Sequence, residues 1–194
     1  MVLLRRSNPR LKTLLVLEFV LCFLCFLCSV PTMAQTAAIP EYRVKATFLL
    51  QFAQFVDWPR QVFSGAQTPL VIGVLGEDPF GNFLDETVRG ETVERHALTV
   101  QRYRRVEEVK NCQVLFVSRS EESRLEEIAA ALKGRNVLIV GDAERFAYRG
   151  GMIQFVTEDN KIRLRINLEA AKAANLTISS KLLRLATVIK PGGN

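Results

Sequence analysis

QVLFVSRSEESRLEEIAAALKGRNVLIVGD, residues 113–142, decides the fold. Gln113 to Val117 is a short apolar run of strand length. Ser120 stands where a helix N-cap belongs, and Glu121 to Lys133 is amphipathic until Gly134 stops it. Asn136 to Val140 is a second apolar run, ending at Gly141-Asp142. Two continuously apolar strands joined by a helix read as a crossover between parallel strands, buried on both faces.

The same grammar extends outward in both directions. Upstream, Ala97 to Arg102 and Leu70 to Leu75 are further strands. Between them Asp78 is the expected N-cap, with Pro79 in the first helical position of a helix reaching Val88. Before that, Pro40 opens a helix over Glu41 to Asp57, with Val44, Phe48, Phe52 and Phe55, widened by Leu49 and Val56, as its apolar stripe. Trp58-Pro59 ends it, because the residue before proline is pushed out of the α region. Downstream, Met152 to Thr157 and Lys161 to Ile166 flank the turn Glu158-Asp159-Asn160, and Ile162, Leu164 and Ile166 alternate with Arg163 and Arg165. That period of two predicts an antiparallel hairpin with one buried face, placed on the sheet edge. Asn167 caps a helix over Leu168 to Ala174, and Ser179 or Ser180 starts a last one carrying Leu182, Leu183 and Ala186. The expected fold is α/β: a mainly parallel doubly wound sheet flanked by helices, with a C-terminal antiparallel β-hairpin and two terminal helices.

The first 34 residues read as a secretory signal peptide. Arg5, Arg6, Arg10 and Lys12 precede an apolar run from Thr13 to Cys28, and Thr32-Met33-Ala34 supplies small residues for cleavage. An uncleaved anchor is the competing reading, since Leu11 to Val30 nearly reaches spanning length, but Glu18 interrupts the run and Pro31 ends it. Residues 35–40 are a tether and 41–190 one domain. Cleavage leaves 22 basic against 19 acidic residues, so the net charge falls from +6 to +3 and a nucleic-acid footprint loses its support. Three of four cysteines leave with the signal, so Cys112 has no intrachain disulfide partner.

Chemistry is sparse in what remains. His96 and Cys112 are too few for a Cys/His metal site, and a hydrolase built on this pair lacks an orienting third group. Gly73 and Gly76 do not make a dinucleotide fingerprint, and Glu77-Asp78 would repel a phosphate there. No catalytic, cofactor or metal residues are assigned. Ligands of open α/β sheets sit beyond the carboxyl ends of the strands. The candidate ligand crevice is therefore Ser118, Arg119, Ser120 and Asp142, where a guanidinium and helix-start amides could hold an anion. Candidate partner-binding residues are Trp58 at a helix end and Arg163 and Arg165 on the hairpin. Edge charges also serve to block strand addition. Cys112, just before a strand, is either a core thiol or a redox thiol.

Five stretches in order resemble the YfiR family of exported proteins: VKATFLLQFAQFVDWP (44–59), VLGEDPFG (74–81), NCQVLFVS (111–118), NVLIVGDAERFAYRGGMIQF (136–155) and RLRINLEAAKAANLTISSKLLRLA (163–186). The resemblance implies a periplasmic regulator without enzymatic activity. The family's best-known members bind the periplasmic domain of an inner-membrane diguanylate cyclase and hold it inactive, lowering cyclic di-GMP. It also implies a homodimer, contact with the membrane only through the partner, and disulfides linked to redox state. Cys112 resembles a family cysteine at the start of the third strand. Its expected partner would fall in the first strand, where this chain has Val71, Ile72, Gly73 and Val74, and a second pair is absent between Phe146 and Ile166. The alternative function is a periplasmic small-ligand-binding sensory domain using the crevice.

Overall fold

A computed structural model describes residues 38–65 and 67–190; the expected signal peptide and most of the tether lie outside the described residues. Helix α1 (Ala38–Phe55) leads into β1 (Val56–Asp57), β2 (Leu70–Leu75), α2 (Asn82–Val88), β3 (Thr92–Val93) and β4 (His96–Tyr103). Then follow β5 (Val114–Val117), α3 (Leu125–Ala131), β6 (Leu138–Gly141), β7 (Ile153–Glu158) and β8 (Lys161–Asn167). The chain closes with α4 (Leu168–Ala173), β9 (Thr177–Ile178), α5 (Ser180–Leu183) and β10 (Ala186–Ile189).

Eight strands form one sheet in the order β10-β8-β7-β6-β5-β2-β4-β3, while β1 and β9 pair separately. From β4 across to β7 every pairing is parallel, and β8 turns back antiparallel on β7. From β2 the chain moves first to β4 on one side and then to β5 on the other. Right-handed crossovers therefore put α2 and α3 on opposite faces, which is the doubly wound arrangement expected. The central strands β2, β5 and β6 are buried along their whole length, as their unbroken apolar runs require. Among the described residues no helix is long and apolar enough to cross a membrane.

Local chemistry accounts for most element ends. Asn167 and Ser179 cap α4 and α5, their side chains accepting from Ala170 N and Lys181 N. The β7–β8 hairpin turns on Asp159 and Asn160, both at positive φ, the conformation that suits the strand twist and that Asp and Asn tolerate. Two starts differ from expectation. Asp78 Oδ1 accepts from Phe80 N at 2.8 Å in a local turn, and α2 begins only after Gly81. Ser118, not Ser120, caps the segment after β5, which winds as a 3₁₀ helix over Arg119–Arg124 before α3 begins.

The hairpin is not the sheet edge. Ala186–Ile189, read from sequence as the end of the last helix and the residues after it, forms β10 and pairs in parallel with Leu164–Asn167 of β8. The β-branched run Thr187-Val188-Ile189 favours a strand over a continued helix. The arginines of β8 therefore do not prevent strand addition. At the opposite margin β3 is only two residues long.

The helix α1 stripe is also rotated from the expected one. Lys45, Ala46, Leu49, Phe52, Ala53 and Val56 are buried, while Val44 is 47% exposed. Beneath this face runs an aromatic chain. Phe52 stacks on Phe155 with ring centroids 5.7 Å apart, and Phe116 lies between Phe155 and Phe80. Edge-to-face contacts such as Phe80–Phe116 at 4.8 Å add about 0.5–1.5 kcal/mol each beyond area burial.

Candidate functional site

The expected crevice lies beyond the carboxyl ends of β2, β5 and β6, and the structure brings its residues together. Gly76, at φ 90°, follows β2 and passes so close to Ser120 and Glu121 that no Cβ would fit. Ser120 Oγ accepts from Glu77 N at 2.9 Å, stitching the loop after β2 to the one after β5. Ser118 is buried and caps its own turn. Arg119 reaches across to the loop after β6, where its Nε donates to the Asp142 carbonyl at 3.1 Å and stands 3.5 Å from Asp142 Oδ1.

The centre of this region is a residue that the sequence reading passed over. Lys45, 1% exposed, brings its ammonium to 2.5 Å from Asp142 Oδ2 and 2.6 Å from Glu41 Oε1. Tyr42 donates its hydroxyl to the same Asp142 oxygen at 2.9 Å. Two cations and two carboxylates thus balance, with Tyr42 closing the group from α1. Asp142 Oδ1 is enclosed without a hydrogen-bond partner among the described residues, with Arg119 Nε 3.5 Å away. The available signal was a lysine four residues after Glu41, inside an otherwise apolar helix.

Burial pushes the Glu41 carboxyl up, but the hydrogen bond and charge of Lys45, with Thr157 and Arg119 adding to them, bring it below its ordinary value of 4.5. For the Tyr42 phenol, burial and the Asp142 carboxylate both raise the pKa. A carboxyl held below its unfolded value contributes stability that is fully present above that value and lost as pH falls through the folded pKa. Unfolding midpoints in urea should therefore decline as pH drops below about 4.5, and Glu41→Gln should flatten part of that decline. An identical acid limb in Glu41→Gln would remove Glu41 from the account.

Chemically, this arrangement holds helix α1 to the end of the sheet. Asp142 is too enclosed to meet a substrate, and the Ser120 hydroxyl already accepts a hydrogen bond. Of the crevice residues, Arg119 alone offers a charged group to solvent, its side chain 63% exposed.

The other candidates lie apart. Trp58 is half-buried against the core just beyond α1, and its indole N–H has no partner among the described residues. Glu41 touches Thr157 of β7 at the other end of α1. The fourteen residue steps from Glu41 to Phe55 span roughly 21 Å at about 1.5 Å each. Trp58 and the hairpin arginines therefore do not form one patch. Arg163 is exposed, and Arg165 pairs with Glu158 at 2.9 Å.

Cys112 and His96 do not meet either. β2 separates their strands, so about 10 Å lies between them. His96 Nδ1 is 2.7 Å from the Thr68 carbonyl, with its ring stacked on Phe63, and the Cys112 thiol donates to the Val114 carbonyl. Burial pushes the Cys112 thiol up to about 12, so it carries no thiolate at neutral pH. A Cβ at Gly73 would stand 2.8 Å from Cys112 Sγ, so position 73 faces the thiol, but the Tyr103 ring fills that space. Among the described residues no group of three His, Cys, Asp or Glu could hold a metal ion. Native protein should react with a thiol reagent only after denaturation, and reductant should leave Tm unchanged. A fall of more than about 3 °C on reduction would show that Cys112 is paired between chains.

Fold and strand ends together define an open, mostly parallel α/β domain whose charged groups at the carboxyl ends bond to one another. Within that class the assignment is specific: a family model described as YfiR/HmsC-like matches residues 42–187, and the chain belongs to that family. A search of curated proteins finds no match.

Proposed function

We propose that this chain is an exported, non-enzymatic regulator that binds the periplasmic domain of an inner-membrane diguanylate cyclase, or a similar sensor enzyme, and represses it. Membership of the YfiR/HmsC-like family across residues 42–187 carries this reading. The basic and apolar leader of residues 1–34 supports export, and the mutually engaged Lys45–Asp142 group supports a scaffold over a catalyst. A homodimer fits the same reading and is checked by sedimentation.

For the contact surface, Arg163 is the stronger candidate, because it is exposed and has no ion-pair partner among the described residues. Trp58 is half-buried and Arg165 is tied to Glu158. Deleting the gene should raise cyclic di-GMP, and the mature protein should recover a membrane cyclase in pull-down, less of it after Arg163→Glu. Unchanged cyclic di-GMP together with no sensor enzyme recovered would refute the proposal.

A further inference from the structure

At the opposite end of the sheet, the amino ends of β5 and β6 border an open cleft of about 230 Å³. Its polar wall is Lys110, Asn111, Cys112, Gln113, Arg135 and Asn136, with no carboxylate among the lining residues. Two cations converge here without a neutralising partner among the described residues. Arg135 spends its Nη2 on the carbonyls of Val109 and Lys110, which fixes the guanidinium and leaves Nε and Nη1 without acceptors among the described residues. Lys110 is exposed and forms no ion pair among the described residues.

The independent sign of a ligand comes from Gln113, which is 3% exposed. Its Oε1 accepts from Val71 N at 2.7 Å, which sets the orientation of the amide. Its backbone is locked between neighbouring strands, N–H to the Val71 carbonyl and carbonyl to Leu138 N. The amide nitrogen is left with no protein acceptor among the described residues. Gln113 is one of the residues that line the cleft. A buried donor in the wall of a cleft calls for an acceptor there, because an unmet buried donor costs about 1–3 kcal/mol.

We propose that this cleft binds a small oxyanion, a carboxylate or phosphate of metabolite size, held by Arg135 and Lys110 and oriented by the Gln113 and Asn111 amides. Guanidinium and ammonium donors with fixed amides match an oxyanion's several lone pairs. The volume falls below the roughly 300–1,000 Å³ of drug-sized sites, which selects a small acid and excludes a nucleotide. Arg135's positive field reaches this wall, drawing down the thiol of Cys112 against the larger effect of burial. The site is independent of the regulatory reading above, and it lies across the sheet from Arg119 and Asp142.

The test is thermal unfolding and calorimetric titration of the purified chain with acetate, succinate and inorganic phosphate, each against chloride at equal ionic strength. Binding to the native state should raise Tm by a few degrees at about 10 mM of at least one oxyanion. A response to the carboxylates alone, or to phosphate alone, assigns the class; both outcomes uphold the site. Lys110→Ala removes an exposed side chain with no internal ion pair and should weaken binding about threefold or more. Arg135→Gln should weaken it about tenfold or more, each folded state being checked by circular dichroism. Arg119→Ala, at the other end of the sheet, should bind as the unaltered chain does. The proposal is overturned if chloride acts equally, if no probe responds at about 10 mM, or if affinity survives both Lys110→Ala and Arg135→Gln.

Discussion

Replacing Lys45 by methionine will destabilise the domain by about 3–5 kcal/mol, measured by urea unfolding at neutral pH. The substitution keeps the volume and the helix propensity but removes the only cation, among the described residues, paired with Asp142 Oδ2, leaving a carboxylate that is 1% exposed with the Tyr42 hydroxyl and the largely solvated Arg119, 3.5 Å from its other oxygen. Desolvation, not lost attraction, sets the size of the effect. An intact buried pair gains little over an apolar one, but a single charge left behind retains its whole burial penalty. Lys45→Met combined with Asp142→Leu should therefore recover much of the loss, so the two changes should be strongly non-additive. A cost below about 1 kcal/mol for Lys45→Met alone would mean that solvent reaches Asp142 and that the group does not anchor α1.

The second large effect is at Phe146. This ring is 1% exposed and sits between two glycines: a Cβ on Gly141 would lie 2.5 Å from Phe146 Cε2, and one on Gly151 would overlap the opposite ring edge. Phe146→Ala should cost about 3–5 kcal/mol by leaving a cavity in close-packed surroundings. Gly151→Ala should cost about 1–3 kcal/mol or more for the opposite reason, because the ring has nowhere to move. Since Gly151→Ala is harmful only through the ring, adding it to Phe146→Ala should cost much less than its effect in the native background. Additive losses would show that backbone conformation at 151, not the ring, is what the glycine serves.

Much of the scaffold was legible because its causes are local. Leu70–Leu75 is a strand over the residues its apolar run marks, and Asn167 and Ser179 cap the helices they precede. The Asp159-Asn160 turn likewise follows from residues that tolerate positive φ. Of the crevice, the convergence of Arg119 and Asp142 followed from the rule that strand ends gather in a parallel sheet. That the two engage each other and a buried lysine could not be read the same way. Nor was β10 legible, since Leu182, Leu183 and Ala186 share a helical spacing that carries the helix reading past Leu183, and it is the pairing of Ala186–Ile189 with β8 that makes a strand of the β-branched run. The cleft around Gln113 was hidden too, because its wall comes from loops before β5 and β6 that are polar for no reason visible along the chain.

What the sequence by itself determined is the order of the main strands and helices up to α5 and the parallel character of the sheet. Periodicity, caps and turns act over a few residues and need no distant partner. What only the tertiary structure decided is which polar groups are buried and which edges are open. Lys45 and Asp142 are 97 residues apart, and a lysine within an apolar helix is a fault until a carboxylate is placed opposite it. The same holds for Gly151, whose missing side chain has meaning only against Phe146. Charge compensation and close packing depend on distances in space, and those exist only once the sheet has brought its strands together.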